Sequence, residues 1–212
     1  RAAQTQWVRL LDVAQQLLEA NEGVPLAARE NFVARDAQGV FTGTTDASGV
    51  DGVGGYVFMA DRPGEVWLAS AKWPTDIQEA LTAASTTGAE RARLRDARVP
   101  MMAMPAAELF GCIVVPQAAA RAARTSPSAV YAVGDCQPAA AAITSGVSAT
   151  PQMQSLLTEA RRWCSEWAGV AVRREHNTDA DLLSHPAQAI KVALAAAAAG
   201  LLVHEAVITE TD

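Results

Sequence analysis

The sequence predicts an α/β fold: a five-stranded mixed sheet, three antiparallel strands followed by two parallel ones, flanked by helices and preceded by an N-terminal helical extension. Three observations predict it. Short β-rich runs separated by tight turns fill the stretch from Val40 to Trp73. Two further β-rich runs follow, each reached through a longer helical stretch, the order expected for crossovers between parallel strands. Half of the 212 residues are hydrophobic and 19% are charged, enough for a packed core and too apolar for a disordered chain.

Trp7, Leu10, Leu11, Val13, Ala14, Leu17 and Leu18 recur at helical spacing and predict one amphipathic helix ending near Gly23. Residues 25–39 are polar and read as a linker, so that 1–39 is an extension and 40–212 the main domain. The first strand is expected over Val40 to Asp46, stopping at Ala47-Ser48-Gly49. The second runs from Val53 to Ala60 and the third from Glu65 to Trp73, with Asp61-Arg62-Pro63-Gly64 between them, residues that turns favour. A polar, helical insertion is expected over about 75–103, carrying Arg91, Arg93, Arg95 and Arg98. Pro105 opens a helix that continues from Ala106 to Arg124. A fourth strand, Val130 to Asp135, leads to a short helix at Pro138 to Ile143 and a longer one from Met153 to Trp167. Gly169 to Arg173 is the fifth strand. A helix from Asp179 to Ala199 is expected to break at Pro186, and Leu201 to Ile208 reads as a last strand or a tail.

Charge and cysteines narrow the function classes. Lys and Arg total 17 against 23 Asp and Glu, a formal charge of −6. A small, strongly basic nucleic-acid clamp is excluded, although an acidic protein can still bind nucleic acid through a local basic face or bridging metal ions. Cys112, Cys136 and Cys164 form no CxxC pair, which argues against a disulfide framework or zinc knuckle and for a reducing, intracellular compartment. The longest apolar run, Val192 to Val203, is about half of the roughly 20 residues a membrane span needs. The chain opens on Arg1 rather than Met, so the natural chain is expected to extend further.

The acidic residues carry the chemistry. Asp46 and Asp135 each end a predicted strand. If those strands pair in parallel, both carboxylates meet at one sheet edge, where open α/β sheets place ligands. Glu108 at a helix start and Asp181 near another could reach the same spot; Glu79 and Glu90 are alternatives to Glu108, and Asp179 to Asp181. Converging carboxylates repel and call for a hard divalent cation, Mg²⁺ or Mn²⁺. Two such ions would suit a phosphodiester. No Walker-type glycine loop and no Ser-His-Asp set competes, and Gly54-Gly55 is too slight for a dinucleotide fingerprint.

Thr45-Asp46-Ala47-Ser48-Gly49, followed by Gly52-Val53-Gly54-Gly55-Tyr56, resembles the first hairpin of the ribonuclease H family, most closely the domains attached to retrotransposon-type reverse transcriptases. Pro105-Ala106-Ala107-Glu108-Leu109, Val133-Gly134-Asp135-Cys136 and Asn177-Thr178-Asp179-Ala180-Asp181-Leu182-Leu183-Ser184 are similar to its later acidic motifs. The resemblance spans about residues 40–186. It implies four acidic metal ligands, Asp46, Glu108, Asp135 and Asp181, and two Mg²⁺ or Mn²⁺ ions. It implies cleavage of the RNA strand of an RNA–DNA hybrid, leaving a 3′-hydroxyl and a 5′-phosphate. It also implies a reverse transcriptase domain upstream, with residues 1–39 as its connecting tail. Ser48, Arg173, Arg174, His176 and Asn177 are the candidate substrate contacts.

Each signal has a plainer reading. Asp46 and Asp135 suit a turn and a helix cap, and Glu108 and Asp181 suit ordinary helix positions. His185 and His204 read as structural, and the arginines at 91–98 as a solvated helix face or a phosphate-tracking stripe. Trp73, Trp163 and Trp167 read as packing residues and Cys136 as a small filler. The alternative function is a non-catalytic binding or scaffold module on the same fold within a larger polymerase or ribonucleoprotein. Proofreading exonucleases are disfavoured because Ser48 stands where they carry a glutamate.

Overall fold

The computed structural model describes residues 39–98, 100–148 and 150–209. The helix expected from Trp7 to Leu18 lies outside the described residues.

Three β-rich segments form an antiparallel meander: β1 (Val40–Ala47), β2 (Gly52–Met59) and β3 (Glu65–Lys72). The first turn is organised by Ser48. Its hydroxyl accepts from the amides of Val50 at 3.3 Å and Asp51 at 3.1 Å, and its own amide donates to Gly52 O at 2.8 Å. At the second turn Gly64 has a φ of 84°, a conformation open to glycine at little cost.

The insertion follows as two helices, α1 (Thr75–Ser85) and α2 (Gly88–Asp96), rather than one continuous helix. The break falls at Thr86, which is extended and turns its hydroxyl back to Ala83 O at 2.8 Å, consuming a carbonyl the helix would need to continue. The long helix α3 (Met104–Ala123) opens with Pro105 in its first turn, where a missing amide hydrogen costs nothing. β4 (Ala129–Gly134) leads to α4 (Gln137–Ser145) and α5 (Pro151–Trp163), and Thr150 caps α5 by accepting from Met153 N. β5 (Trp167–Ala171) starts earlier than its pattern suggests. Trp167, expected at the end of the preceding helix, belongs to this strand. Cys164 is extended, and the Trp167 indole donates to Ala160 O and Cys164 O, closing the end of α5. The last helical stretch is divided as expected around Pro186, into α6 (Thr178–Ser184) and α7 (Ala189–Ala198).

The sheet order is β5-β4-β1-β2-β3-β6. β4 pairs in parallel with β1, and β5 in parallel with β4, as expected. The sheet has six strands rather than five, because the stretch read as a strand or a tail forms β6 (Leu202–Ala206), parallel to β3. β6 covers an edge that β3 would otherwise leave open.

Helices cover both faces. Phe41, Val57, Met59 and Trp67 pack with Leu109, Val114, Ile143 and Leu157 of α3, α4 and α5. On the other face Tyr56, Phe58, Val66 and Leu68 pack with Ala180, Leu183, Val192 and Ala196 of α6 and α7. The second layer sits unusually close at one point. A Cβ on Gly54 would lie 2.1 Å from Leu183 O, the same carbonyl that accepts from Ser70 Oγ. Gly54 pairs with Asp46 on one side and with Ser70 on the other, so the bare glycine is the notch through which α6 docks beside Asp46.

Gly54→Ala is therefore expected to destabilise the protein by about 1–3 kcal/mol, the usual cost of overpacking. Urea unfolding of both proteins checks this; unchanged stability would show that α6 can shift freely on the sheet.

Candidate metal centre

The site is built from the register of β1 and β4. Thr44 lies opposite Val133; continuing that parallel register by two residues sets Asp135 beside Asp46. Strand alternation then decides where each side chain goes. The Thr45 hydroxyl turns to α3 and meets Cys112 Sγ at 3.2 Å. Asp46 turns to the α6 side, where Asn177 Nδ2 lies 3.4 Å from its Oδ1 and donates to Thr45 O at 3.1 Å. Glu108 enters from α3, and its carboxylate accepts from the backbone amide of Ala47. It stands in the second turn of its helix rather than the first, because α3 begins at Met104.

One ligand oxygen from each of Asp46, Glu108 and Asp135 lies within 4.8 Å of the others. Asp46 and Glu108 are buried and Asp135 is half-buried. The alternatives Glu79 and Glu90 are exposed on α1 and α2, away from this group.

Asp181 stands outside the three-carboxylate group. Its Oδ1 lies 3.6 Å from Arg174 Nη2, and its side chain is 34% exposed. It is still near enough for its charge to act on Asp46. Asp179 is half-buried in the first turn of the same helix.

Burial is the main force on the buried carboxyls. It raises Asp46 above the usual aspartate value, helped by the charges of Asp135 and Asp181 and opposed by the Ser184 hydroxyl and Arg174. Burial, with the charges of Asp46 and Asp135, pushes Glu108 up to about 9. One turn further along α3, burial pushes the Cys112 thiol up to about 12, so it stays protonated at neutral pH and offers no thiolate. The donor set is therefore oxygen, with more negative charge than Arg174 can balance. Hard divalent cations of the Mg²⁺ or Mn²⁺ type fit such a set.

Compared with known proteins, this chain matches no family model, no curated protein and no solved structure.

The other candidate residues surround this centre in different ways. Asn177 is completely buried. It offers no surface to a substrate and instead holds Asp46, while its Oδ1 has no hydrogen-bond partner among the described residues. Ser48 shapes the β1–β2 turn, and its carbonyl accepts from the buried Trp73 indole at 2.6 Å. Arg173 and Arg174 are exposed, Arg173 lying 3.8 Å from Glu175. His176 is half-buried in the short 3₁₀ turn Arg174–His176. Sequence reasoning gave Ser184 no separate role. Its buried hydroxyl bonds Asp181 O at 2.8 Å and also lies against the Asp46 carboxyl. Its spacing three residues after Asp181 was the available signal. Among the described residues no helix is long and apolar enough to cross a membrane.

The raised carboxyls make a pH prediction for the metal-free protein. Glu108 ionises near 4.5 when unfolded and near 9 when folded. Between these values the folded state holds the extra proton, so stability is fully present below the lower value and is lost as pH rises. The penalty is at most about 1.4 kcal/mol per pH unit for each proton. Glu108→Gln is expected to raise the alkaline Tm without metal and to flatten its fall from pH 5 to 9. A variant whose Tm falls as steeply as that of the unmodified protein would show that Glu108 is not the buried acid responsible.

Proposed function

We propose that this chain is a metal-dependent endoribonuclease of the ribonuclease H type, hydrolysing the RNA strand of RNA–DNA hybrids as a domain of a retrotransposon-type reverse transcriptase. The observation that carries the reading is the buried Asp46–Glu108–Asp135 cluster at the end of a parallel strand pair. The closing segment Asn177 to Ser184, packed against the same edge, supports it.

Asp46, Glu108, Asp135 and Asp181 are the residues that would hold two Mg²⁺ or Mn²⁺ ions. When bound, these ions supply Lewis acidity toward a phosphodiester and a nucleophilic water at neutral pH. The protein's own part is preorganisation. Asn177 fixes the Asp46 carboxyl, with the Ser184 hydroxyl lying against it, and the Ala47 amide fixes that of Glu108. Glu108 would hold an ion only as the carboxylate, so it would have to give up its proton there. Arg174, beside Asp181, offsets part of the negative charge at the rim. Ser48, Arg173, Arg174 and His176 are assigned to the substrate backbone, where a hybrid is told apart by its shape and 2′-hydroxyls rather than its sequence.

Asp46→Asn is expected to lower cleavage of a labelled hybrid in Mg²⁺ by on the order of 10³-fold or more, the loss of several kcal/mol of transition-state stabilisation. Circular dichroism should show the fold retained, and a chelator should stop the unmodified protein. Full, chelator-sensitive activity in the Asp46→Asn protein would sink the assignment.

A further inference from the structure

The insertion between β3 and α3 is anchored to the β1–β2 turn that follows Asp46 and leads back into the helix that carries Glu108. On the outgoing side Trp73 donates to the carbonyl of Ser48, two residues past Asp46, and the Gln78 side chain donates to Val50 O at 2.7 Å. On the return side Met102 N donates to Ala80 O at 3.0 Å, and α3 begins two residues later, four before Glu108.

The far part of this insertion is built differently from the rest of the molecule. α2 contains no buried residue, and between Gly88 and Arg98 only Leu94 is even half-buried. A helix usually owes its stability to a packed apolar face; this one presents charge instead. Arg91 and Arg95 share a face at i, i+4, Arg93 projects from the opposite side of the helix, and Arg98 follows the helix in a left-handed turn with φ of 56°. Four arginines face only Glu90 and Asp96 in this stretch, in a chain whose formal charge is −6. Among the described residues no ion pair neutralises any of the four arginines, whereas Arg173 and Arg174 at the site rim lie beside Glu175 and Asp181.

An acidic cluster repels a phosphate backbone, so a nucleic acid held there needs positive charge nearby. We propose that α2 and the turn after it form a contact arm for the phosphate backbone of the duplex engaged at the cluster; this rests on the proposed function and deepens it. A nucleic-acid duplex is favoured over a membrane surface because α2 exposes no large apolar side chain to insert. It is favoured over an acidic protein because the insertion that carries the arm is tied to the turn directly after Asp46.

The test uses the full chain, a fluorescein-labelled RNA–DNA hybrid and Ca²⁺, read by anisotropy across a salt series. Arg91→Gln/Arg93→Gln/Arg95→Gln is expected to weaken binding about tenfold or more and to reduce the salt slope by about 2–3, one counterion equivalent per lost phosphate contact. The corresponding Arg→Lys triple should keep the slope, and both variants should keep the Tm and its response to Mn²⁺. Wild-type affinity and slope in the glutamine variant would overturn the arm and leave the proposed function standing. Failure of the unmodified protein to bind the hybrid would remove both. Binding of acidic-lipid vesicles through these arginines, with no binding of the hybrid, would replace the duplex by a membrane surface.

Discussion

Like charge gathered in a poorly solvated place governs this structure. Asp46, Glu108 and Asp135 share one small volume, and burial together with the neighbouring charges pushes the carboxyl of Glu108 up to about 9. Such an arrangement weakens a fold unless a ligand or a proton answers it. Here the surrounding elements supply stability from elsewhere. β1 is paired on both sides, and α3 is buried along most of its length. The site is therefore strained in charge but supported in packing, as expected where function and stability pull apart.

The closing segment shows how closely site and fold are joined. α6 reaches Asp46 only because Gly54, the register partner of Asp46, leaves room for the carbonyl of Leu183. The same docking seats Ala180 and Leu183 in the second core and brings Asn177 and Ser184 against the Asp46 carboxyl. Apolar burial thus sets the position of a polar network. Asn177, read from sequence as a substrate contact, is drawn into the interior by this packing and serves as a support.

Much of the architecture was visible in local pattern. The three β-rich runs with turn residues between them specified the meander, and the helices between later strands specified parallel additions. Element ends were less legible. Thr86 breaks the insertion into two helices by bonding its own chain, and Trp167 looked helical by spacing but completes a strand. β6 was ambiguous because Leu201 to Ile208 has no strong alternation; its strand state comes from pairing with β3.

By itself the sequence determined the order of elements and the acidic residues at strand ends, because turn chemistry and hydrophobic period act over a few neighbours. Only the tertiary structure decided which of those residues meet. Glu108 joins the cluster while Glu79 and Glu90 stay in solvent, and Asp181 stands aside with Arg174. Those outcomes depend on parallel register, on helix docking and on contacts between residues far apart in the chain. A one-dimensional pattern carries the chemistry of each group but not the distances that set their electrostatic interaction.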